Sequence, residues 1–231
     1  VAGTFTTVKG VTHDGLVSVN PATGALDPYL TVNLTGHHNY GRVAGATSAR
    51  VGATDIAVSP DGSRMIVDGN FINAADPVNP TGYARDQIAN IILGPTRATV
   101  DPNWNTNAYT NACYSWAYDS YVRHIGWSPD GTYFAVAATG GYYSGSFQDC
   151  DSASRFEASA TGLNVKPTWV DFTGTDSLYS VAVTSDAVYV GGHNRWLNNP
   201  YGQDNPQNGA VPRPRPAALD PAHGVPLSSN P

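Results

Sequence analysis

The chain has 231 residues and a formal net charge of −6, with 41% hydrophobic residues but only 13% charged ones. Charged residues are thus about half as frequent as in an average globular domain. The 24 glycines and 17 prolines, set against one methionine, favour turns and strands and exclude a long helical protein or a coiled coil. The acidic balance argues against nucleic acid as a partner. No apolar run approaches the roughly 20 residues of a membrane span.

The chain opens on a predicted strand at residues 1–5, which match residues 67–71 and 190–193 further along. Both later segments are the second strands of predicted hairpins, so residues 1–5 are expected to be a second strand as well. Residues 15–28 then predict a third strand, a Pro/Gly turn and a short outer strand.

Two hairpins follow in closely similar form, at residues 55–71 and 124–140, and a weaker third copy lies at 180–192. The first two contain the turn sequence Ser-Pro-Asp-Gly between alternating apolar runs. Proline presets φ at the second turn position and glycine accepts positive φ at the fourth. Each segment therefore predicts two antiparallel strands joined by a tight turn. Within the turns, Asp61 and Asp130 are expected to accept hydrogen bonds from nearby backbone amides.

A third strand and an outer strand follow each hairpin, and four short strands per repeat are the make-up of a β-propeller blade. We therefore predict an all-β propeller with about 3.5–4 blades in this sequence. The first unit lacks the first strand of its hairpin, so we expect the chain to be a single propeller domain that is a segment of a larger propeller. An unusual four-bladed ring is the alternative. The predicted units are residues 1–53, 54–122, 123–177 and 178–231.

These repeats resemble secreted bacterial β-propeller repeat proteins of the delta-sixty type, whose units read V-x-G-x-F…L-x-x-L-x-P-x-T-G-x-L-D. The best matches are residues 1–5 with 17–28, and residues 56–71 with Trp104. The resemblance implies a secreted or cell-surface module with no shared catalytic residues. The chain departs from the family pattern in its long inserts, which are residues 31–53, 72–86, 105–122 and 141–153.

The two cysteines, Cys113 and Cys150, have a spacing that fits neither a CxxC redox motif nor a zinc site. We expect them to form one structural disulfide in a secreted protein. Two unpaired thiols in a cytosolic domain are the alternative.

Such a bridge would join two aromatic inserts, residues 109–121 and 140–147, into one pad rich in Tyr, Ser, Gly and Asn. Recognition surfaces have this adaptable composition. Its candidate ligand-binding residues are Trp116, Tyr142 and Tyr143. The alternative is that the inserts need aromatic residues and a bridge merely to stay ordered.

A second candidate binding segment follows the predicted strand that ends at Gly192. It combines aromatic rings, side-chain amides and a guanidinium, which suit contacts with a sugar or a peptide. Alternatively, Trp196 packs between blades and the asparagines cap turns. The candidate residues are His193, Asn194, Arg195, Trp196, Asn198, Asn199 and Tyr201.

Catalytic motifs of the GxSxG and HExxH types are absent, and Glu157 is the only glutamate, so a glycosidase Glu–Glu pair is excluded. The adjacent His37 and His38 and the scattered other histidines lack the spacing of a metal site. We expect no cofactor and predict a non-catalytic extracellular scaffold or recognition module that contacts carbohydrate, protein or copies of itself. The alternative is an extracellular glycan-active enzyme, a glycosidase or lyase, that uses loop aspartates and His193.

Overall fold

The computed structural model describes residues 1–38, 50–111, 113, 119–141 and 149–228. Within these residues the chain forms strands and turns and contains no helix, which confirms the all-β prediction. It follows that none of them belongs to a helix long and apolar enough to cross a membrane. In chain order the strands are β1 (Thr7–Val8), β2 (Val11–Thr12), β3 (Ser18–Val19), β4 (Leu26–Asp27), β5 (Asn33–Thr35), β6 (Gly52–Val58), β7 (Arg64–Asn70), β8 (Asn73–Ala75), β9 (Tyr83–Ala84), β10 (Ile88–Leu93), β11 (Ala98–Val100), β12 (Val122–Trp127), β13 (Tyr133–Ala138), β14 (Ser152–Glu157), β15 (Trp169–Phe172), β16 (Leu178–Val183), β17 (Val188–Gly192), β18 (Trp196–Leu197), β19 (Val211–Pro212) and β20 (Ala217–Leu219).

Three larger antiparallel sheets follow one another along the chain. Sheet A has the order β11-β10-β7-β6, sheet B the order β12-β13-β14-β15, and sheet C the order β16-β17-β20. In each sheet the two strands that come first in the chain form the predicted hairpin, and the predicted third strand pairs with the second of them. The smaller sheets are β1-β2, β3-β4, β5-β8-β9 and β18-β19.

The first residues of the chain also pair as the repeat predicts. Val17 donates its backbone N–H to the Val1 carbonyl at 3.0 Å, and Gly3 donates to the Gly15 carbonyl at 3.0 Å. Strands β3 and β4 continue this arrangement as a third strand and a short outer strand. Residues 1–5 thus lie alongside residues 15–17, with an isolated bridge between Ala2 and Leu16 and without a regular strand.

The Ser-Pro-Asp-Gly turns form as predicted. Gly62 donates its N–H to the Ser59 carbonyl at 2.8 Å and adopts a φ of 69°, which glycine reaches without a steric penalty. Asp61 accepts from the backbone N–H of Ser63 at 3.0 Å, and Asp130 accepts from its neighbour two residues on at the same distance. These hydrogen bonds, first of all that from the Ser59 hydroxyl, lower the pKa of Asp61 to about 2.

The three sheets pack face to face in chain order. Because successive side chains of a strand point to opposite faces, one strand can contribute to two buried layers. On β7, Val67 joins a core shared with the N-terminal strands, whereas Ile66 joins the core between sheets A and B. On β13, Phe134 faces sheet A and Ala135 faces sheet C. The chain therefore holds a series of antiparallel sheets with a buried apolar layer between neighbours. Within the described residues no sheet is closed or curled.

One irregularity recurs in the first strand of every large sheet. The strand register shifts immediately ahead of Asp55 in β6, His124 in β12 and Ser180 in β16. The first two side chains then bind the next sheet: Asp55 Oδ2 accepts the N–H of Ile125 at 3.0 Å, and His124 Nδ1 accepts the N–H of Val181 at 3.3 Å. Neighbouring sheets are thus joined by a repeated polar contact as well as by apolar packing.

Cys113 and Cys150 form a disulfide, with their Cα atoms 6.0 Å apart. This confirms the predicted bridge, and the alternative of two unpaired thiols is wrong. Both cysteines lie in the core between sheets A and B, together with Tyr109 and Tyr121. The bridge is compatible with an extracellular protein, because disulfides persist in oxidising compartments.

Candidate functional site

A polar cleft of about 460 Å³ opens beside sheet A. Its lining comes from the segment after β5, from Ile72 between β7 and β8, from the end of β9 and the connection to β10, and from the segment after β11. We call it the His38 cleft. Its lining residues are His37, His38, Ile72, Ala84, Arg85, Asp86, Asn105, Asn107 and Thr110.

A buried hydrogen-bond network fixes the carboxylate of Asp86 at this cleft. His38 Nδ1 lies 2.5 Å from Asp86 Oδ1, and Gln87 Nε2 lies 3.3 Å from His38 Nε2. With its proton on Nδ1, the imidazole donates to the carboxylate and accepts from the amide. Gln87 also donates to the Tyr109 carbonyl at 2.7 Å and accepts the Tyr121 N–H at 2.6 Å. Both ring nitrogens of His38 are therefore engaged, and the network spans three chain segments.

Two other lining groups carry buried polar atoms without a protein partner. Arg85 is 3% exposed, and its Nη atoms donate to the carbonyls of Ala84 and Asp101 at 2.7 Å each. Its burial lowers the pKa of the guanidinium. Among the described residues, neither Arg85 Nε nor Asn105 Oδ1 has a hydrogen-bond partner, although both atoms are buried. Such orphaned atoms are uncommon in folded proteins. Two residues that line the cleft thus each carry one buried polar atom, a donor and an acceptor, without a described partner.

The other histidine of the adjacent pair, His37, is also paired with a carboxylate. His37 Nε2 lies 3.2 Å from Asp119 Oδ2, and both side chains are largely buried. A histidine held by a carboxylate is suited to proton transfer. The described part of the chain holds no group of three or more His, Cys, Asp or Glu residues placed for a metal ion. The two histidines therefore face separate carboxylates instead of converging on one point.

The predicted binding segment after β17 lies in residues 193–209, which comprise the short strand β18 and the turns around it and which we call the Arg195 loop. Arg195 donates to both carboxylate oxygens of Asp176, with Nη2 2.7 Å from Oδ1 and Nε 3.0 Å from Oδ2, and it also contacts Asp204. Hydrogen bonds from Asp176 and then Asp204 raise the pKa of Arg195. The guanidinium lies 4.4 Å from the centre of the Trp196 ring. Two carboxylates and one ring therefore hold this guanidinium in place.

Two asparagines of the segment are buried and bind the backbone. Asn194 donates through Nδ2 to the carbonyls of Arg213 and Arg215, both at 2.7 Å. Asn199 accepts the N–H of Gln207 through Oδ1 at 3.0 Å, and its Nδ2 donates to two further carbonyls. The hydrogen bonds of these two amides fix the backbone of the loop.

The other predicted contacts of the segment lie nearer the surface. The ring of His193 meets that of Tyr179 edge to face at 5.3 Å. Trp196 is half-buried, whereas Asn198 and Tyr201 are exposed. Their binding role stays a prediction. The pad residues Trp116, Tyr142 and Tyr143 lie outside the described residues.

Comparison of the sequence with known families and with curated proteins finds no matching family model and no matching protein. A functional interpretation of the cleft and of the Arg195 loop therefore depends on their geometry alone. That geometry adds Arg85, Asp86 and Asn105, which sequence reasoning missed. The one available signal was the pair of adjacent histidines, His37 and His38.

Proposed function

We propose that this chain is a non-catalytic extracellular recognition module that binds a neutral carbohydrate in the His38 cleft. The observation that carries the proposal is the pair of buried atoms Arg85 Nε and Asn105 Oδ1, which have no hydrogen-bond partner in the described part of the chain, near the fixed carboxylate of Asp86. A sugar hydroxyl both donates and accepts a hydrogen bond, so a sugar carrying several hydroxyls satisfies all three groups. Each orphaned atom that gains a partner recovers part of its desolvation cost.

The charge of the cleft favours a neutral ligand over an anionic one. The guanidinium of Arg85 is committed to two backbone carbonyls, whereas the carboxylates of Asp86 and Asp119 lie close by. Two carboxylates thus stand against the one guanidinium among the described residues that line the cleft, so an acidic sugar would meet net negative charge. The volume of about 460 Å³ also falls within the range of about 300–1,000 Å³ that is usual for small-ligand sites.

The proposed architecture is a β-propeller of the delta-sixty type. Three consecutive antiparallel sheets, the register shift at the same place in each, and the polar contact repeated from sheet to sheet support it. Stacked repeats that bury their faces against neighbours are the principle of such folds. The disulfide supports an extracellular location, either secreted or at the cell surface.

A glycan-active enzyme is the second candidate, and the two histidine–carboxylate pairs favour it. His38 uses both ring nitrogens within the protein, so it would act only through Asp86. His37, paired with Asp119, would be the general acid or base. An enzyme would release altered sugar, whereas a recognition module would release it unchanged.

The test is calorimetric binding of the purified chain to neutral, uronic, sulfated and amino oligosaccharides, with mass spectrometry of the recovered sugar. We expect binding of neutral sugars, recovery without cleavage, and a roughly tenfold loss of affinity for Asn105→Ala, equivalent to about 1.4 kcal/mol. Asn198→Ala, an exposed amide of the Arg195 loop, is the matched control and should bind normally.

Each other outcome contradicts part of the proposal. Binding of acidic sugars alone would overturn the ligand class. Loss of binding in Asn198→Ala but not in Asn105→Ala would move the site to the Arg195 loop. Cleaved sugar would establish the enzyme instead.

A further inference from the structure

A second, smaller cavity, of about 160 Å³, lies where the hairpin turns of sheets B and C meet. We call it the Tyr133 pocket. Its volume is close to the roughly 150 Å³ of a cavity that holds one benzene molecule, so it suits a compact ligand. The lining includes Pro129, Asp130 and Tyr133 from the side of sheet B, and Thr184 and Pro221 from the side of sheet C. None of its lining residues belongs to the His38 cleft.

Tyr133, the first residue of β13, carries a hydroxyl whose hydrogen bonds are not used. The residue is 5% exposed, and its Oη atom is buried without a partner among the described residues. The guanidinium of Arg155 lies 3.8 Å from the centre of the ring, but it donates to the carboxylate of Glu157 and to the carbonyl of Pro221. Burial raises the pKa of Tyr133, so the hydroxyl stays neutral and can both donate and accept.

The equivalent side chain of sheet A is fully used in a contact with the next sheet. Arg64, the first residue of β7, stands two residues after the turn glycine, as Tyr133 does in β13. Its Nη1 donates to the carbonyl of Ala158, just after β14 of sheet B, at 2.6 Å. The hydroxyl of Tyr133 makes no corresponding bond to the described residues of sheet C. At this junction the repeat thus leaves a polar atom for a ligand.

Asp130 supplies a fixed negative charge in the lining of the same pocket. Its Oδ1 accepts the hydroxyl of Ser128 at 2.7 Å and the N–H and hydroxyl of Thr132 at 3.0 and 2.8 Å. These hydrogen bonds, first of all that from Ser128, lower the pKa of Asp130 to about 2, so the carboxylate is charged at neutral pH. All three bonds reach Oδ1, which leaves Oδ2 to a ligand.

The wider surroundings of the hydroxyl are also negative. Besides burial, one guanidinium lowers the pKa of Tyr133 and three carboxylates raise it. The guanidinium is that of Arg155, and the carboxylates are those of Asp130, Glu157 and Asp220. Arg155 lies 2.7 Å from Glu157, so its charge is already balanced. A cation is therefore favoured at this position over an anion.

We propose that the Tyr133 pocket binds a small primary ammonium ion with a compact apolar body. The ammonium group has three donors and no acceptor, and it donates to Asp130 Oδ2 and to Tyr133 Oη. The apolar body lies against the prolines Pro129 and Pro221. This site is separate from the proposed sugar site, and each can exist without the other.

The first experiment is a titration of the isotope-labelled chain, followed by the NMR shifts of its backbone amides. The probe is benzylamine, and benzyl alcohol and benzoate are its neutral and anionic controls of similar size. We expect benzylamine to shift the amides of the pocket with a dissociation constant of about 1 mM, and both controls to bind at least about tenfold more weakly. Benzyl alcohol or benzoate binding as tightly as benzylamine, or benzylamine shifts that avoid the pocket or are absent, would overturn the proposal.

The second experiment repeats the titration with variants that keep the shape of the pocket. Tyr133→Phe removes only the unused hydroxyl, so benzylamine affinity should fall roughly fivefold while stability to urea does not fall. Asp130→Asn keeps an acceptor for its turn but loses the charge, and affinity should fall about tenfold. Asp61→Asn, in the same turn of sheet A, is the matched control and should bind benzylamine normally.

These variants also separate the two sites. Asn105→Ala, which tests the sugar site, should keep full affinity for benzylamine, so a failure of one site is measured independently of the other. Unchanged affinity in Tyr133→Phe would show that the hydroxyl takes no part in binding. An equal loss in Asp61→Asn would show that benzylamine responds only to the overall charge of the chain. Either result would make the proposed site wrong.

Discussion

The His38 cleft and the Arg195 loop are built from the same residue types but differ in how these residues are bonded. In the loop, Arg195 is held by the carboxylates of Asp176 and Asp204, and the buried amide nitrogens of Asn194 and Asn199 donate to the backbone, although Asn194 Oδ1 is left without a described partner. In the cleft, Arg85 Nε and Asn105 Oδ1 are buried without a partner among the described residues. Composition is therefore a poor guide to a binding site, because it counts polar groups without showing which of them are already occupied.

The difference has an energetic meaning. A buried polar atom without a partner costs about 1–3 kcal/mol, and among the described residues the cleft lining carries two such atoms whereas the loop carries one, Asn194 Oδ1. A ligand that reaches these atoms recovers part of that cost on binding. Truncating an occupied loop amide should therefore lower stability, whereas truncating Asn105 should mainly lower affinity.

The largest expected effect comes from removing the disulfide. Cys113→Ser with Cys150→Ser opens a closed segment whose ends lie 37 residues apart, which should lower the free energy of unfolding by about 4 kcal/mol. The bridge shares a core with Tyr109 and Tyr121, whose backbone atoms hold the side chain of Gln87. We therefore expect sugar affinity to fall as well, in urea-unfolding and binding measurements on the same samples. Full affinity in a destabilised variant would show that the bridge merely orders the inserts.

The second expected effect is a smaller loss in the free energy of unfolding, and it concerns the Arg195 loop alone. Asn199→Ala removes a buried amide that accepts the N–H of Gln207 and donates to the Thr173 carbonyl. Loss of these partners should lower the free energy of unfolding by about 2–3 kcal/mol while sugar affinity stays unchanged. The exposed neighbour variant Asn198→Ala should cost less, about 1 kcal/mol, because alanine is strained at a φ of 51° and one exposed hydrogen bond to the Gly209 carbonyl is lost. Unchanged stability in Asn199→Ala would contradict the structural role of the loop amides.

The features that the sequence predicts correctly are local ones. The Ser-Pro-Asp-Gly turns place Asp61 and Asp130 on their own backbone neighbours, so a few adjacent residues decide the geometry. The hairpins and third strands follow from alternating apolar residues bounded by such turns. The disulfide was predicted because the chain has only two cysteines and no motif that would use them otherwise.

The cleft and the register shifts could not be predicted in this way. Asp86 lies 48 residues from His38, and only the packing of separate segments brings the two together. A one-residue register shift ahead of Asp55 or His124 leaves the alternating pattern nearly unchanged, so the sequence carries little sign of it. Likewise, no residue type reveals that Arg85 lacks a partner for Nε, because that depends on every neighbouring atom.

A third expected effect concerns the pH dependence of the free energy of unfolding. Burial raises the pKa of Asp171 to about 7, although its carboxylate accepts the N–H of Asn198 at 2.9 Å. Burial likewise raises the pKa of Asp151 to about 6. Between the ordinary aspartate pKa of about 3.9 and these raised values, the folded protein binds more protons than the unfolded chain. Stability should therefore fall as pH rises from about 4 to about 7, by up to about 1.4 kcal/mol per pH unit for each proton.

The Ser-Pro-Asp-Gly turns affect stability in a separate pH range, and there stability falls as pH falls. Hydrogen bonds lower the pKa values of Asp61 and Asp130 to about 2, so their contribution is lost as pH falls from about 4 to about 2. The decline above pH 4 is thus specific to the buried carboxyls. Asp171→Asn keeps an acceptor for the N–H of Asn198 but cannot ionise, so urea unfolding at pH 5 and 7.5 should show a shallower decline for this variant than for the wild type. An equally steep decline in Asp171→Asn would show that Asp171 is already ionised in the folded protein.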